Sequence, residues 1–140
     1  MRPETEAELA DLVRAARAPL SPLGGGTRLR PGEGAGTRLD LSALSGVVLY
    51  EPAAVTLVVR AGTPLAEVQA VLAEERQMLA FEPDARDGST IGGVAAANAS
   101  GPRRVQAGAC RDAMLGLRFV DGTAEIVRNG GRVMKNVTGY

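Results

Sequence analysis

The sequence predicts a mixed α+β fold, and three observations carry that expectation. Thr5-Glu6-Ala7-Glu8 has the spacing of a capping box and opens an amphipathic helix. Two β-branched runs, Val47 to Tyr50 and Thr56 to Arg60, flank Pro52 and read as strands. A second helical face follows Gly62-Thr63-Pro64, and the hairpin signal Asp121-Gly122 lies between two further apolar runs. Helices and strands therefore interleave, with no internal repeat and no linker.

In the first helix, Leu9, Leu12, Val13 and Ala16 share one face, which carries the pattern to about Arg17. Pro19 to Leu23 is short and apolar and reads as a strand entering Gly24-Gly25-Gly26, followed by a loose Gly/Pro-rich stretch through Gly36. At the second helix, Thr63 is placed to cap and Pro64 to take the first helical position, where a missing N–H removes no helical bond. Leu65, Val68, Val71 and Leu72 line its face. Ala80 to Thr90 is an irregular polar link into Ile91-Gly92-Gly93 and the small-residue segment Val94 to Asn98. Leu115 to Val120 and Thr123 to Val127 are the expected arms of the hairpin.

Composition narrows the function. A chain of 140 residues is one domain's worth and buries roughly 68–70% of the surface its unfolded form exposes. Apolar residues make up 45% with only two Phe and two Tyr, so Ala, Val and Leu must build the core. Sixteen basic residues balance 16 acidic ones without a long run of either sign, which argues against a nucleic-acid surface or a polybasic membrane anchor. There is no histidine, which excludes His-ligated metals, a Ser-His-Asp triad and a histidine base within this chain. Cys110 is the single cysteine; it cannot form an internal disulfide and fits a reducing compartment, and no basic start precedes a long apolar run.

Two segments bear on chemistry. "GGGT", Gly24 to Thr27, reads either as a tight turn or as a loop whose backbone N–H groups and threonine hydroxyl hold an anion. It is not a P-loop, and Gly32-Glu33-Gly34-Ala35-Gly36 does not complete a dinucleotide fingerprint, which argues against an unrelated nucleotide-phosphate binder. "GSTIGGVAAANASG", Gly88 to Gly101, combines hydroxyls, paired glycines and small residues; it reads either as close helix–sheet packing or as ligand contact at a helix start. Arg103, Arg104 and Arg111 are candidate phosphate contacts or plain surface charges. Cys110 reads as a small packed residue, and Lys135, the only lysine, as a surface charge or a partner for an anionic reduced cofactor.

Five stretches in order, "PLGGGTRL", "GTPLAEVQAVL", "EPDARDGSTIGGVAAANASGPRR", "GACRDAMLGLRFVDGT" and "VMKNVTGY", resemble the FAD-linked oxidases whose FAD domain is of the vanillyl-alcohol-oxidase/p-cresol-methylhydroxylase type. Within that family the sequence is most similar to FAD-binding subunits of bacterial glycolate oxidases. The resemblance spans essentially the whole chain. It implies two α+β subdomains with FAD between them, and a first glycine loop, Gly24, Gly25, Gly26 and Thr27, around the pyrophosphate. The family's second FAD segment maps onto Pro83, Thr90, Gly92, Gly93, Asn98, Ser100 and Gly101, while Gly108, Ile126 and Val127 fall toward the adenine side.

The resemblance further implies FAD-dependent oxidation of a 2-hydroxy acid, glycolate to glyoxylate. It implies a catalytic flavoprotein subunit and an iron–sulfur subunit as partners, in the cytoplasm or held by those partners at the inner face of its membrane. Members with covalent flavin carry histidine at the end of the first glycine loop; Thr27 stands there in this chain, so the implied FAD is non-covalent. The chain ends inside "RVMKNVTGY", before the family's cap domain, and is expected to be the N-terminal part of an FAD-binding domain, residues 1–140, truncated at its C-terminus. The family's metal-binding and catalytic histidines have no counterpart here. An assembly subunit that keeps the FAD-domain fold without doing chemistry is the alternative.

Overall fold

The computed structural model describes residues 1–131. The stretch "VMKNVTGY" and Lys135 therefore lie outside the described residues. Elements follow in the order α1 (Glu6–Ala15), β1 (Leu20–Leu23), β2 (Thr37–Asp40), β3 (Val47–Glu51), β4 (Thr56–Val59), α2 (Leu65–Glu74), α3 (Ile91–Ala96), α4 (Arg104–Ala107), α5 (Cys110–Ala113), β5 (Gly116–Val120) and β6 (Ile126–Gly130). This is the mixed helix-and-strand fold that the sequence predicts. Its described strands pair two by two, β1 with β2, β3 with β4 and β5 with β6.

The first helix starts where expected. Thr5 Oγ1 accepts the Glu8 N–H at 3.1 Å, whereas Glu8 Oε2 reaches back to the Glu4 N–H at 2.8 Å, so only the threonine half of a capping box forms. Glu6 also holds Arg118 of β5 at 2.5 Å, which docks the helix on the last hairpin. Strand β1 pairs in parallel with β2, Leu20 opposite Thr37 and Leu23 opposite Asp40. The sequence reading assigns no strand to Thr37–Asp40: two of its four residues are charged, and it gains strand character from its partner. Its inward Leu39 is only 3% exposed.

The two strands expected on either side of Pro52, β3 and β4, form and pair antiparallel through a 3₁₀ turn over Pro52–Ala54 that leaves Val55 at a left-handed φ of 51°. The start of α2 corrects the expectation for Thr63. Pro64 is the N-cap, at φ −56° and ψ 135°, and the helix begins at Leu65. Fully buried Thr63 instead uses its hydroxyl across the chain: Oγ1 accepts the Gly46 N–H at 2.8 Å and lies 2.7 Å from the Arg60 carbonyl oxygen, to which it donates. The helix start is thereby tied to the open end of the β3–β4 pair, where Gly46 enters β3 and Arg60 leaves β4.

The last hairpin departs from a two-residue turn. Val120 pairs with Ile126, and the loop runs over Asp121–Glu125. Asp121 Oδ1 accepts the Thr123 hydroxyl at 2.7 Å and the backbone N–H groups of Thr123 and Glu125 at 2.8 and 3.0 Å. Those bonds, the Thr123 hydroxyl foremost, hold its carboxyl below the usual carboxylate range. A carboxylate that organises the loop thus takes over from the glycine signal. The second arm consequently starts three residues later than expected, at Ile126, and extends through Arg128 and Asn129 to Gly130.

A core of Leu65, Phe81, Val94 and Cys110, with Leu79, Ile91, Ala95, Ala99 and Met114 packed against it, joins α2, α3 and α5. Burying such side chains stabilises each site by about 1.5–3 kcal/mol. This core seats α3, and α3 carries the second glycine segment to the first.

Candidate functional site

Strand β1 delivers the chain into Gly24–Thr27, and this loop lies directly on Gly88–Thr90. A Cβ on Gly24 would overlap Thr90 Oγ1, and one on Gly25 would overlap the Gly88 carbonyl oxygen. Glycine is therefore required at Gly25 by the close approach of two backbones and at Gly24 by the Thr90 side chain. Bulk at Gly25 would thus strike the neighbouring segment before it reached a ligand. Gly26 differs. It takes a left-handed φ of 68°, and the space its Cβ would enter is open within 4 Å.

The backbone donors of the two segments have opposite fates. Among the described residues, the N–H groups of Gly24, Gly25, Gly26 and Thr27 have no acceptor within the chain, and Gly25 and Gly26 are exposed. At the start of α3 the donors are already paired: Ile91 N–H to the Thr63 carbonyl at 2.9 Å, Gly92 N–H to the Ala61 carbonyl at 2.8 Å, and Gly93 N–H to Thr90 Oγ1 at 3.3 Å. A Cβ on Gly92 would also press on Ala61. The first loop is thus an open run of main-chain donors, and the α3 start is the surface on which it rests.

Side chains stitch the junction. Thr27 Oγ1 and Ser89 Oγ stand 3.1 Å apart. Arg28 Nη1 donates to both, at 3.1 Å to Thr27 Oγ1 and 2.6 Å to Ser89 Oγ, while its Nη2 donates to the Asp84 carbonyl oxygen. Arg86 Nη1 donates to the Thr27 carbonyl at 2.9 Å, and its Nε pairs with Asp84 Oδ2 at 2.7 Å. Sequence reasoning singled out Arg103, Arg104 and Arg111 and missed Arg28 and Arg86. With 15 of the 16 basic residues being arginine, only the position of Arg28 immediately after Thr27 could have marked it.

The remaining sequence-predicted residues shape the second segment. Pro83 is buried at its entry. Asn98 sits at a left-handed φ of 46°, and its Oδ1 accepts the Arg111 N–H at 3.0 Å. Ser100 Oγ accepts the Cys110 N–H at 2.9 Å and donates to the Asn98 carbonyl at 3.2 Å. Gly101 donates to the Phe81 carbonyl at 2.8 Å, and a Cβ there would overlap the Glu82 carbonyl oxygen. Gly108 closes α4 at φ 83°, and Val127 lies in β6 opposite Phe119; among the described residues neither bonds to the two glycine segments.

Cys110 is 3% exposed, and burial pushes its thiol up from the ordinary range, so it is a packed core residue. We predict that a thiol reagent such as 5,5′-dithiobis(2-nitrobenzoate) leaves Cys110 unmodified in the native chain at pH 8 and titrates it fully in denaturant; rapid native labelling would contradict this assignment. Among the described residues no cluster of His, Cys, Asp and Glu is arranged to hold a metal ion, and no helix is long and apolar enough to cross a membrane.

The fold and the glycine junction together define a cofactor-binding module of the mixed α/β kind. Residues 1–130 match the family described as "FAD binding domain", and the chain belongs to that family. It is 42% identical over 106 residues to the glycolate oxidase subunit GlcE of Escherichia coli (strain K12), a match covering 75% of this chain and 30% of that protein. It is 34% identical over 146 residues to an uncharacterized FAD-linked oxidoreductase of Mycobacterium tuberculosis, covering 99% of this chain and 31% of that one. Other relatives are named D-2-hydroxyglutarate dehydrogenase and D-lactate dehydrogenase, which act on 2-hydroxy acids. Among solved structures, alkyldihydroxyacetonephosphate synthase superposes with a TM-score of 0.75 at 24% identity, over 98% of this chain and 29% of that one, and so shares the fold. The chain thus spans about 30% of the length of the curated relatives it matches.

The junction fits the cofactor of that family. The pyrophosphate of FAD needs several donors without an intervening Cβ. The unpaired N–H groups of Gly24–Thr27, exposed at Gly25 and Gly26 and with open space beside Gly26, are such a set.

Proposed function

We propose that this chain is the N-terminal part of the FAD-binding domain of a 2-hydroxy-acid oxidoreductase subunit, oxidising glycolate to glyoxylate, and that it holds FAD non-covalently. The observation that carries the reading is the run of unpaired donors at Gly24–Thr27, resting on a second glycine segment whose own donors are occupied. In this reading Gly24, Gly25, Gly26 and Thr27 take the pyrophosphate. Pro83, Thr90, Gly92, Gly93, Asn98, Ser100 and Gly101 form the wall beside the flavin, and Gly108 and Val127 lie toward the adenine. When bound, FAD supplies the two-electron acceptor for the hydroxy acid.

This chain's own residues bind and orient. This chain has no histidine, and among the described residues no group of three or more His, Cys, Asp or Glu is clustered, so the proton taken from the substrate hydroxyl is assigned to a group outside them. Relatives named as glycolate oxidase subunits support a multi-subunit complex; the proposal adds a catalytic flavoprotein subunit and an iron–sulfur subunit as partners, in the cytoplasm, with membrane attachment only through those partners.

Incubating the purified chain with FAD and removing free cofactor by gel filtration tests the reading. Retention of the flavin visible band, with release of FAD on denaturation, is the expected result. A chain that stays colourless would sink the flavin reading and leave the assembly-subunit alternative. Flavin that stays attached after denaturation would overturn the non-covalent assignment.

A further inference from the structure

Arg28 stands out from the other charges near the glycine junction. Its guanidinium is half-buried and is held by three neutral oxygens: the hydroxyls of Thr27 and Ser89 and the main-chain carbonyl of Asp84. Among the described residues it forms no ion pair; the Asp84 carboxylate belongs to Arg86. Neutral oxygens fix the orientation of a guanidinium and leave its charge uncompensated. That charge is anchored one residue beyond the run of unpaired N–H groups at Gly24–Thr27, and Arg86 binds the carbonyl of Thr27 from the other side. Arg86 is paired with Asp84, so Arg28 is the cation at the edge of this loop of donors that has no acidic partner among the described residues.

We propose that Arg28 is a specificity-determining residue: its uncompensated charge makes this site select a ligand carrying a pyrophosphate over the same ring system without phosphate. The inference rests on the flavin reading and adds to it the residue that reads charge. The main-chain donors supply shape and hydrogen bonds, and Arg28 supplies the net charge that an anion of more than one unit requires. The same side chain spans both segments, so the loop arrives at the ligand already closed on Ser89.

The test titrates the chain with FAD, with FMN and with riboflavin, following quenching of flavin fluorescence at low and at high salt. The wild type is expected to prefer FAD to riboflavin and to lose part of that preference in salt. Arg28→Gln is expected to weaken FAD by about 10- to 100-fold, the scale of a lost charge-assisted hydrogen bond. Riboflavin affinity should stay within about two-fold. FMN should fall between the two. Arg28→Lys keeps the charge without the three-way span, and should retain most of the preference with a lower melting temperature.

An Arg28→Gln protein that binds FAD as the wild type does overturns the assignment. So does one that loses FAD and riboflavin equally, which marks Arg28 as a structural clasp. If Arg28→Gln fails to fold, Arg28→Lys decides: a folded lysine variant without preference for FAD overturns the role of the charge. A wild type that binds riboflavin and FAD equally overturns the inference alone. A wild type that binds neither flavin overturns the flavin reading and the inference with it.

Discussion

Gly25→Val is expected to destabilise the chain by about 1–3 kcal/mol, the usual cost of forcing extra methyl groups into a filled site, and to abolish FAD binding in the same protein. The Cβ would occupy the position of the Gly88 carbonyl oxygen, so either the first loop lifts or the 84–90 segment moves. Lifting the loop also pulls Thr27 and Arg28 from Ser89, across 62 and 61 positions of sequence. Gly26→Ala is the control. It meets open space but keeps a φ of 68°, so the expected loss is only the left-handed penalty of about 1–2 kcal/mol. Thermal denaturation and FAD titration of both variants check this. A Gly25→Val protein with the wild-type melting temperature and impaired FAD binding would show that the ligand, not the second segment, occupies that space.

Thr63→Val should cost about 1–3 kcal/mol, from the part-buried Gly46 N–H left without its acceptor. The side chain is nearly isosteric, so packing changes little. The Gly46 N–H, 2.8 Å from the hydroxyl, loses its bond, whereas the Arg60 carbonyl, 2.7 Å from the hydroxyl, keeps the Thr63 N–H at 3.1 Å. Thr63→Ser retains the hydroxyl and should lose only the buried methyl group, about 1 kcal/mol. Urea unfolding of the three proteins measures the difference. Equal stability of the valine and serine variants would mean that the Gly46 N–H finds another acceptor. Because the Thr63 carbonyl also receives the Ile91 N–H, loosening this corner should disturb the start of α3.

The elements read correctly from the sequence are those whose signal is local. Thr5 caps α1 through a residue three positions away, and the apolar face of α2 repeats at helical spacing, so neither needs a distant partner to be recognised. Elements decided by distant partners were read incorrectly or missed. Strand β2 has two charged residues and exists because β1 lies beside it. The capping position before α2 was assigned to Thr63 on local grounds, but the hydroxyl finds stronger partners 17 residues upstream and 3 residues upstream. The hairpin loop is a different case: its donors are local, on Thr123 and Glu125, but the Asp121 carboxylate collects three of them, an arrangement that the Asp-Gly dipeptide alone does not encode.

By itself the sequence determined the mixed α+β class, the absence of histidine from these 140 residues, and the two glycine-rich segments that matter. Those depend on residue identity and short-range spacing alone. Only the tertiary structure decided what each glycine is for. Gly24, Gly25, Gly92 and Gly101 are glycine because another part of the chain fills the space of a side chain. The free donors of Gly24–Thr27 became distinguishable from the occupied donors at α3 only when their distant acceptors could be counted. Arg28 and Arg86 joined the site for the same reason. A charge matters through what surrounds it in space, and residues some 60 positions apart in the chain supply those surroundings.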